Sequence, residues 1–212
     1  MNASILLYRS ATLVSQGDWE SAIAAAEAVR IVSRRSRMRM QNRTCRAQTA
    51  YARWQLARDP DAAETLAKIA GQFLEPNNSQ QYVSMVFGWV VEVMVDRGDR
   101  EPARFFMAQI IRRVREGGDR LGEAMGWRAM ARAAQREGDD ARADRYLSFA
   151  RRSAAIRLLK REQAHDWVCA ARLLRARGRA QAADALLEQA ARAFEAMDVP
   201  SFRASGLAFT SR

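Results

Sequence analysis

The sequence predicts an all-α protein built as an α-solenoid, a stack of about five antiparallel helical hairpins. Two observations carry this. Of the 212 residues 49% are hydrophobic, Ala, Arg, Leu and Met dominate, and only 11 Gly and 4 Pro interrupt them; Ala, Leu, Met and Arg lose little side-chain freedom in a helix. The second is an internal repeat: Gly98-Asp99, Gly138-Asp139 and Gly178-Arg179 recur at a spacing of 40. A large aromatic stands eleven residues before each glycine (Phe87, Trp127, Trp167), and an alanine five after it (Ala103, Ala143, Ala183). Further apolar residues keep the same register, Met107, Leu147 and Leu187 at nine and Ile110, Ala150 and Ala190 at twelve.

Two looser copies extend the series upstream. Arg58 takes the glycine position in one, with Trp54 before it and Ala63, Ala67 and Ala70 after. In the other, Gly17-Asp18 follows Leu6 and precedes Ala22, Ala26 and Val29, one residue out of register. Each copy reads as two helices, giving hairpins over 3–34, 38–73, 78–116, 119–156 and 158–197, one repeat domain over 1–198, and a tail or cap over 199–212. A glycine can take the left-handed conformation that ends the first helix, and the following Asp can cap the second. Pro60 and Pro102 suit first turns, and Pro76-Asn77-Asn78-Ser79 reads as a break between hairpins. The alanine lets paired helices approach, while the aromatic fills space between hairpins. No hairpin can bury its apolar face alone, so the stack is the fold.

The formal charge is +11, with 35 Lys plus Arg of which only Lys68 and Lys160 are lysine. A basic balance suits nucleic acid, membranes or acidic proteins, but the arginines are spread through amphipathic helices among 24 acids. Nucleic acid is therefore a secondary reading. Its best candidate is the run Arg34-Arg35-Ser36-Arg37-Met38-Arg39, continuing to Arg43 and Arg46; without interleaved aromatics it reads first as a charged inter-hairpin loop. The most apolar segment, Tyr82–Val95, is too short to span a bilayer, and the N-terminus has no basic leader before its apolar stretch. A cytoplasmic protein with no membrane partner is expected.

Chemistry is sparse. The single histidine, His165, lies one helical turn from Cys169, but no third group or oxyanion donor completes a site. Cys45 and Cys169 make neither a disulfide framework nor a metal pair. No phosphate loop, His-Glu-x-x-His, Cys-x-x-Cys or nucleophile elbow occurs. No enzyme activity, metal or cofactor is expected.

The residues Trp127, Met130-Ala131, Ala134, Gly138, Ala143, Leu147 and Ala150 resemble the tetratricopeptide (TPR) signature. So do Trp167, Ala170-Ala171, Leu174, Gly178, Ala183, Leu187 and Ala190, and more loosely Phe87, Val90-Val91, Met94, Gly98 and Ala103. The likeness covers residues 80–195 well and 1–75 poorly. The period of 40 departs from the usual 34 and resembles the long TPR-like repeats in sensor regions of large bacterial transcriptional regulators and signalling ATPases. The resemblance implies a right-handed solenoid for protein interaction, with the first helix of each hairpin lining a concave groove. Carried over, the groove positions fall in three rows: Cys45, Met85, Met125 and His165; Gln48, Gly88, Arg128 and Val168; Ala52, Glu92, Arg132 and Arg172. Gln135, Arg136 and Arg175 join them near the hairpin loops. The spacing of Met125, Arg128, Arg132 and Gln135 also places them on one helix face.

Arginine grips carboxylates in a bidentate fork, so the expected partner is a protein or peptide with acidic residues. An ordinary solvated face is the plainer reading of the same arginines. Ligand sensing or chaperone work in a bacterial regulatory or secretion system is a further alternative. In the third hairpin the apolar residues surround the first helix, and Trp89 and Val93 fall off the expected core stripe, with Phe105-Phe106 on the partner helix. Tight internal packing and a homo-oligomer contact through these four residues both remain open.

Overall fold

The computed structural model describes residues 3–35, 39–75, 83–197 and Val199. Outside it lie the side chains of Arg34, Arg35 and Arg39, the whole of Arg37, the Pro76–Ser79 break and the tail after Val199. Ten α-helices and no strand occur among the described residues: α1 Ala3–Gln16, α2 Trp19–Arg35, α3 Arg39–Ala57, α4 Pro60–Gln72, α5 Val83–Arg97, α6 Arg100–Gly117, α7 Glu123–Arg136, α8 Asp140–Ile156, α9 Lys160–Ala176 and α10 Ala180–Ala196. Each helix packs on the next in sequence, and the odd-numbered helices also pack on one another in order, α1 on α3, α3 on α5, α5 on α7 and α7 on α9. The fold is thus an all-α array of sequentially packed helix pairs, with the odd helices in one layer.

The turns within pairs follow from the backbone. Gly17, Gly98, Gly138 and Gly178 take φ values of 75°, 86°, 76° and 74°, where a side chain on an L-residue is strained. At Gly138 the paired 6→1 and 5→2 hydrogen bonds of a left-handed helix stop are present: Asp139 N–H donates to the Ala134 carbonyl at 3.0 Å and Gly138 N–H to Gln135 at 3.0 Å. Asp139 then caps α8, its carboxylate accepting from Arg142 N–H at 2.9 Å. Arg58, at the glycine position of its copy, also has positive φ, 54°.

Two expected helix starts move. Residues 119–122 form a link rather than the first turn of α7, because Asp119 turns back to α5: its carboxylate accepts the Ser84 hydroxyl and, at 3.2 Å, the Ser84 N–H. Helix α9 begins at Lys160 because Leu158 sits at φ 52°.

Ala63, Ala103, Ala143 and Ala183 are all fully buried between paired helices. The surplus apolar surface of α5 is absorbed within the chain, since eleven of its fifteen residues are buried. Trp89 is 1% exposed and stacks on Tyr51 of α3 with ring centroids 5.3 Å apart. Val93 is fully buried and Phe106 nearly so; only Phe105, 48% exposed, faces outward. Of the two readings open for Trp89, Val93, Phe105 and Phe106, internal packing holds for three, which are committed to the chain's own core and leave no oligomer contact to them.

Candidate functional site

The C-terminal halves of α3, α5, α7 and α9, with Leu187 of α10, enclose an open cavity of about 750 Å³. Its charged lining is Arg58, Arg132, Arg136, Arg172 and Arg175 against Glu92 and Asp96. A second hollow of about 230 Å³ shares Arg58, Glu92, Arg132 and Arg172 with it and extends to Trp19, Met125, Arg128, His165 and Phe194. Ten of the fifteen expected groove positions border one hollow or the other, while Cys45, Gln48 and Ala52 are buried and take no part in a groove. Met85 borders neither hollow; it packs against the main hydrophobic cluster. Gly88 is likewise a packing residue, since a Cβ there would lie 3.0 Å from the backbone of Gly122, which shows how closely α5 approaches the start of α7.

The charges are organised across the odd-helix layer. Arg132 pairs with Glu92 at 3.1 Å and Asp96 at 3.4 Å. Asp96 also receives Arg58 at 3.0 Å and Arg136 at 3.7 Å, and Arg136 donates to the Val95 carbonyl at 2.7 Å. The Tyr51 hydroxyl donates to Glu92 at 2.6 Å; burial, then the adjacent Glu92 carboxylate, pushes that phenol well above its ordinary range. This network fastens α3, α5 and α7 together at the cavity floor. Arg172 continues the row on α9. Burial, then the neighbouring Arg132 charge, holds its guanidinium below its ordinary value, so cations crowd at this end. Arg175 at the rim pairs with Asp184.

Arg128 is different. Predicted as a groove cation, it is 6% exposed and its guanidinium is taken up by α9, bonding Glu162 at 2.7 Å and Asp166 at 3.0 Å. Its place in a ligand grip is corrected: it ties α7 to α9. Burial works against the Glu162 charge, but Arg128 more than offsets it and holds the carboxyl at about 2. Asp166 is more deeply enclosed, with one oxygen left without a partner, and burial keeps it above the usual carboxylate range despite Arg128.

His165 stands edge-on to Phe194 with centroids 5.1 Å apart. Burial, then the Arg128 charge, brings its imidazole down to about 3. Cys169 points its thiol at the Arg128 carbonyl, 3.8 Å away, and burial raises it above the ordinary thiol range. The pair the sequence left in reach is therefore a neutral ring beside an un-ionised thiol, the reverse of an activated Cys–His couple. Cys45 is also buried and pushed up to about 12 by that burial. Among the described residues no group of three or more His, Cys, Asp or Glu could hold a metal ion, and no helix is long and apolar enough to cross a membrane. Of the Arg-rich segment, Arg46 borders a separate hollow with Arg30, which pairs with Glu27 at 2.5 Å.

The acids Asp96, Glu162 and Asp166 are the residues that sequence reasoning missed. A signal existed: in a stack, positions one repeat apart touch. Glu92 and Arg132 are 40 residues apart, and Arg128 is 34 and 38 residues from Glu162 and Asp166. Opposite charges at that offset forecast ion pairs. No family model, curated protein or solved structure matches the chain.

Proposed function

We propose that the chain is a non-catalytic binding scaffold whose cavity on the odd-helix layer holds an acidic segment of a partner protein. The carrying observation is the composition of that cavity, five arginines against two acids. Both acids already face arginine, so the lining as a whole keeps a net positive charge that Arg172 and Arg175 extend onto α9. A carboxylate arriving there relieves the crowding of Arg132 and Arg172 and meets guanidinium forks suited to it. The TPR-like layout of residues 80–195, with its period near 40 and an expected right-handed course, favours the same use. A cytoplasmic setting as an adaptor or regulatory module belongs to this reading.

The test is retention on an array of acidic and charge-neutral peptides, comparing wild type with Arg172→Glu/Arg175→Glu. Acidic peptides retained by the wild type and weakened about ten-fold or more in the variant are expected, since truncating a desolvated charge pair costs several kcal/mol. Equal retention by both proteins, with far-UV circular dichroism unchanged, would remove the cavity as the site. A second reading rests on size: about 750 Å³ also suits a small anionic ligand. Small dicarboxylates that raise the melting temperature while acidic peptides do not would favour a sensor over a scaffold.

A further inference from the structure

The helix ends opposite the cavity carry a feature that packing does not explain. At the α8–α9 link Leu158 has φ 52° and is 85% exposed. Comparable stops elsewhere use glycine, and the other exception, Arg58, holds Asp96 and lies over the Trp54 ring. Leu158 shows no such compensation. A leucine here costs about 1–2 kcal/mol of backbone strain and leaves an aliphatic side chain in water. Strain of this sort at an exposed tip is a pointer to use.

Its surroundings say what the use is. Ile156 is 56% exposed and Leu121, on the α6–α7 link, 37% exposed. The two links are adjacent, because Arg157 donates to the Arg120 carbonyl at 3.2 Å. Arg152 lies one turn before Ile156 on α8 and Lys160 follows Leu158; both are exposed. The nearby acids point inward: Glu123 holds Arg120 and Ser153, Glu162 holds Arg128, and Asp119 holds Ser84. Burial lowers the Arg161 guanidinium below its ordinary range; Glu162 opposes this, and Arg157 one turn away adds a smaller push in the same direction as burial. The edge is an aliphatic tip in a ring of crowded cations.

We propose that this edge docks on an anionic lipid surface, with Leu158, Ile156 and Leu121 entering the headgroup layer and Arg152, Arg157 and Lys160 meeting lipid phosphates. The apolar tip offers on the order of 300 Å², well short of the ~800 Å² per partner of a stable protein interface. Shallow insertion needs only a few buried methylenes together with basic residues that meet an anionic leaflet. Nucleic acid would call for aromatic platforms rather than aliphatic ones. Peripheral docking revises the expectation of no membrane partner and is independent of the cavity at the other end of the helices.

The test is co-sedimentation with vesicles of phosphatidylcholine alone and of phosphatidylcholine with phosphatidylglycerol, at low and high salt. Wild type is expected on the anionic vesicles only, and to be released by salt. Leu158→Gly suits φ 52° and so keeps the fold, yet should partition about ten-fold more weakly, from the transfer energy of one leucine. Lys160→Glu should weaken binding to anionic vesicles with melting temperature unchanged. The proposal fails if wild type ignores anionic vesicles, or if Leu158→Gly binds them equally. It fails too if wild type is a dimer in solution that Leu158→Gly dissociates, which would make the tip a contact between copies. Tighter binding to duplex DNA than to vesicles, unaffected by Leu158→Gly, would assign the cations to nucleic acid.

Discussion

Replacing Arg128 by methionine isolates the strongest electrostatic tie in the array. The side chain is of similar length and stays apolar, so the lost quantity is charge. Glu162 and Asp166, 17% and 2% exposed at their side chains, then lie in a low-dielectric pocket with their cation gone. The scale follows from Glu162. Its carboxyl falls from an ordinary 4.5 to about 2 in the folded chain, which at about 1.36 kcal/mol per pH unit is about 3 kcal/mol. Removing one member of a buried pair generally costs about 3–5 kcal/mol, a large part of the 5–15 kcal/mol that holds a domain folded. Urea denaturation at neutral pH should show that loss.

Two controls separate charge from packing. Arg128→Met/Glu162→Gln/Asp166→Asn removes the whole group and should recover most of the stability, because a buried triad of neutral side chains carries no uncompensated charge. The pH dependence has a definite sign. In the wild type the Glu162 contribution is present above about pH 4.5 and lost as pH falls through about 2. In the single variant burial is no longer offset by Arg128 and raises both carboxyls, so they protonate at milder acidity and the penalty shrinks as pH falls below neutral. A single variant within about 1 kcal/mol of wild type at neutral pH, or one that the triple variant fails to rescue, would refute the triad as a fastening between α7 and α9.

Three other outcomes follow from the same geometry. Gly122→Ala would drive a Cβ into the Ser84 carbonyl oxygen, backbone against backbone; a loss above about 3 kcal/mol in thermal or urea unfolding is expected, and a neutral result would mean that α5 and α7 do not meet there. His165 is held down at about 3 against its ordinary 6.5, so the stability its neutral form supports is present above about pH 6.5 and lost as pH falls toward 3; His165→Phe should flatten that limb of a melting-temperature profile, and an unchanged profile would count against a neutral ring held in the fold. Both cysteines are buried thiols, so Ellman's reagent should find almost none in the native chain and two per chain in denaturant, whereas rapid native labelling would show that Cys45 or Cys169 is reachable.

How much of this was legible in the sequence depended on whether the relevant physics was local. The turn at Gly138 announces itself, because a positive φ selects glycine and the next residue must satisfy bare N–H groups, which Asp139 does. The all-α array follows from such turns and from the recurrent alanine at the helix contacts. Trp89 stayed undecided because the face of a helix is a local property, while what covers it is not: Tyr51, a whole hairpin earlier, supplies the stacking ring. Arg128 and Arg172 hold neighbouring places on the same layer and look alike by spacing. The difference lies in α9, which presents two acids to Arg128 and, as its own part of the row, sets Arg172 beside Arg132. A cation answered by two acids of the adjacent repeat becomes a fastening, and one set beside another cation adds to the positive potential of the lining. On the proposed reading the binding chemistry therefore belongs to the net positive lining of the cavity, and the ion pairs of Arg128 and Arg132 serve first to hold the layer on which that lining is mounted.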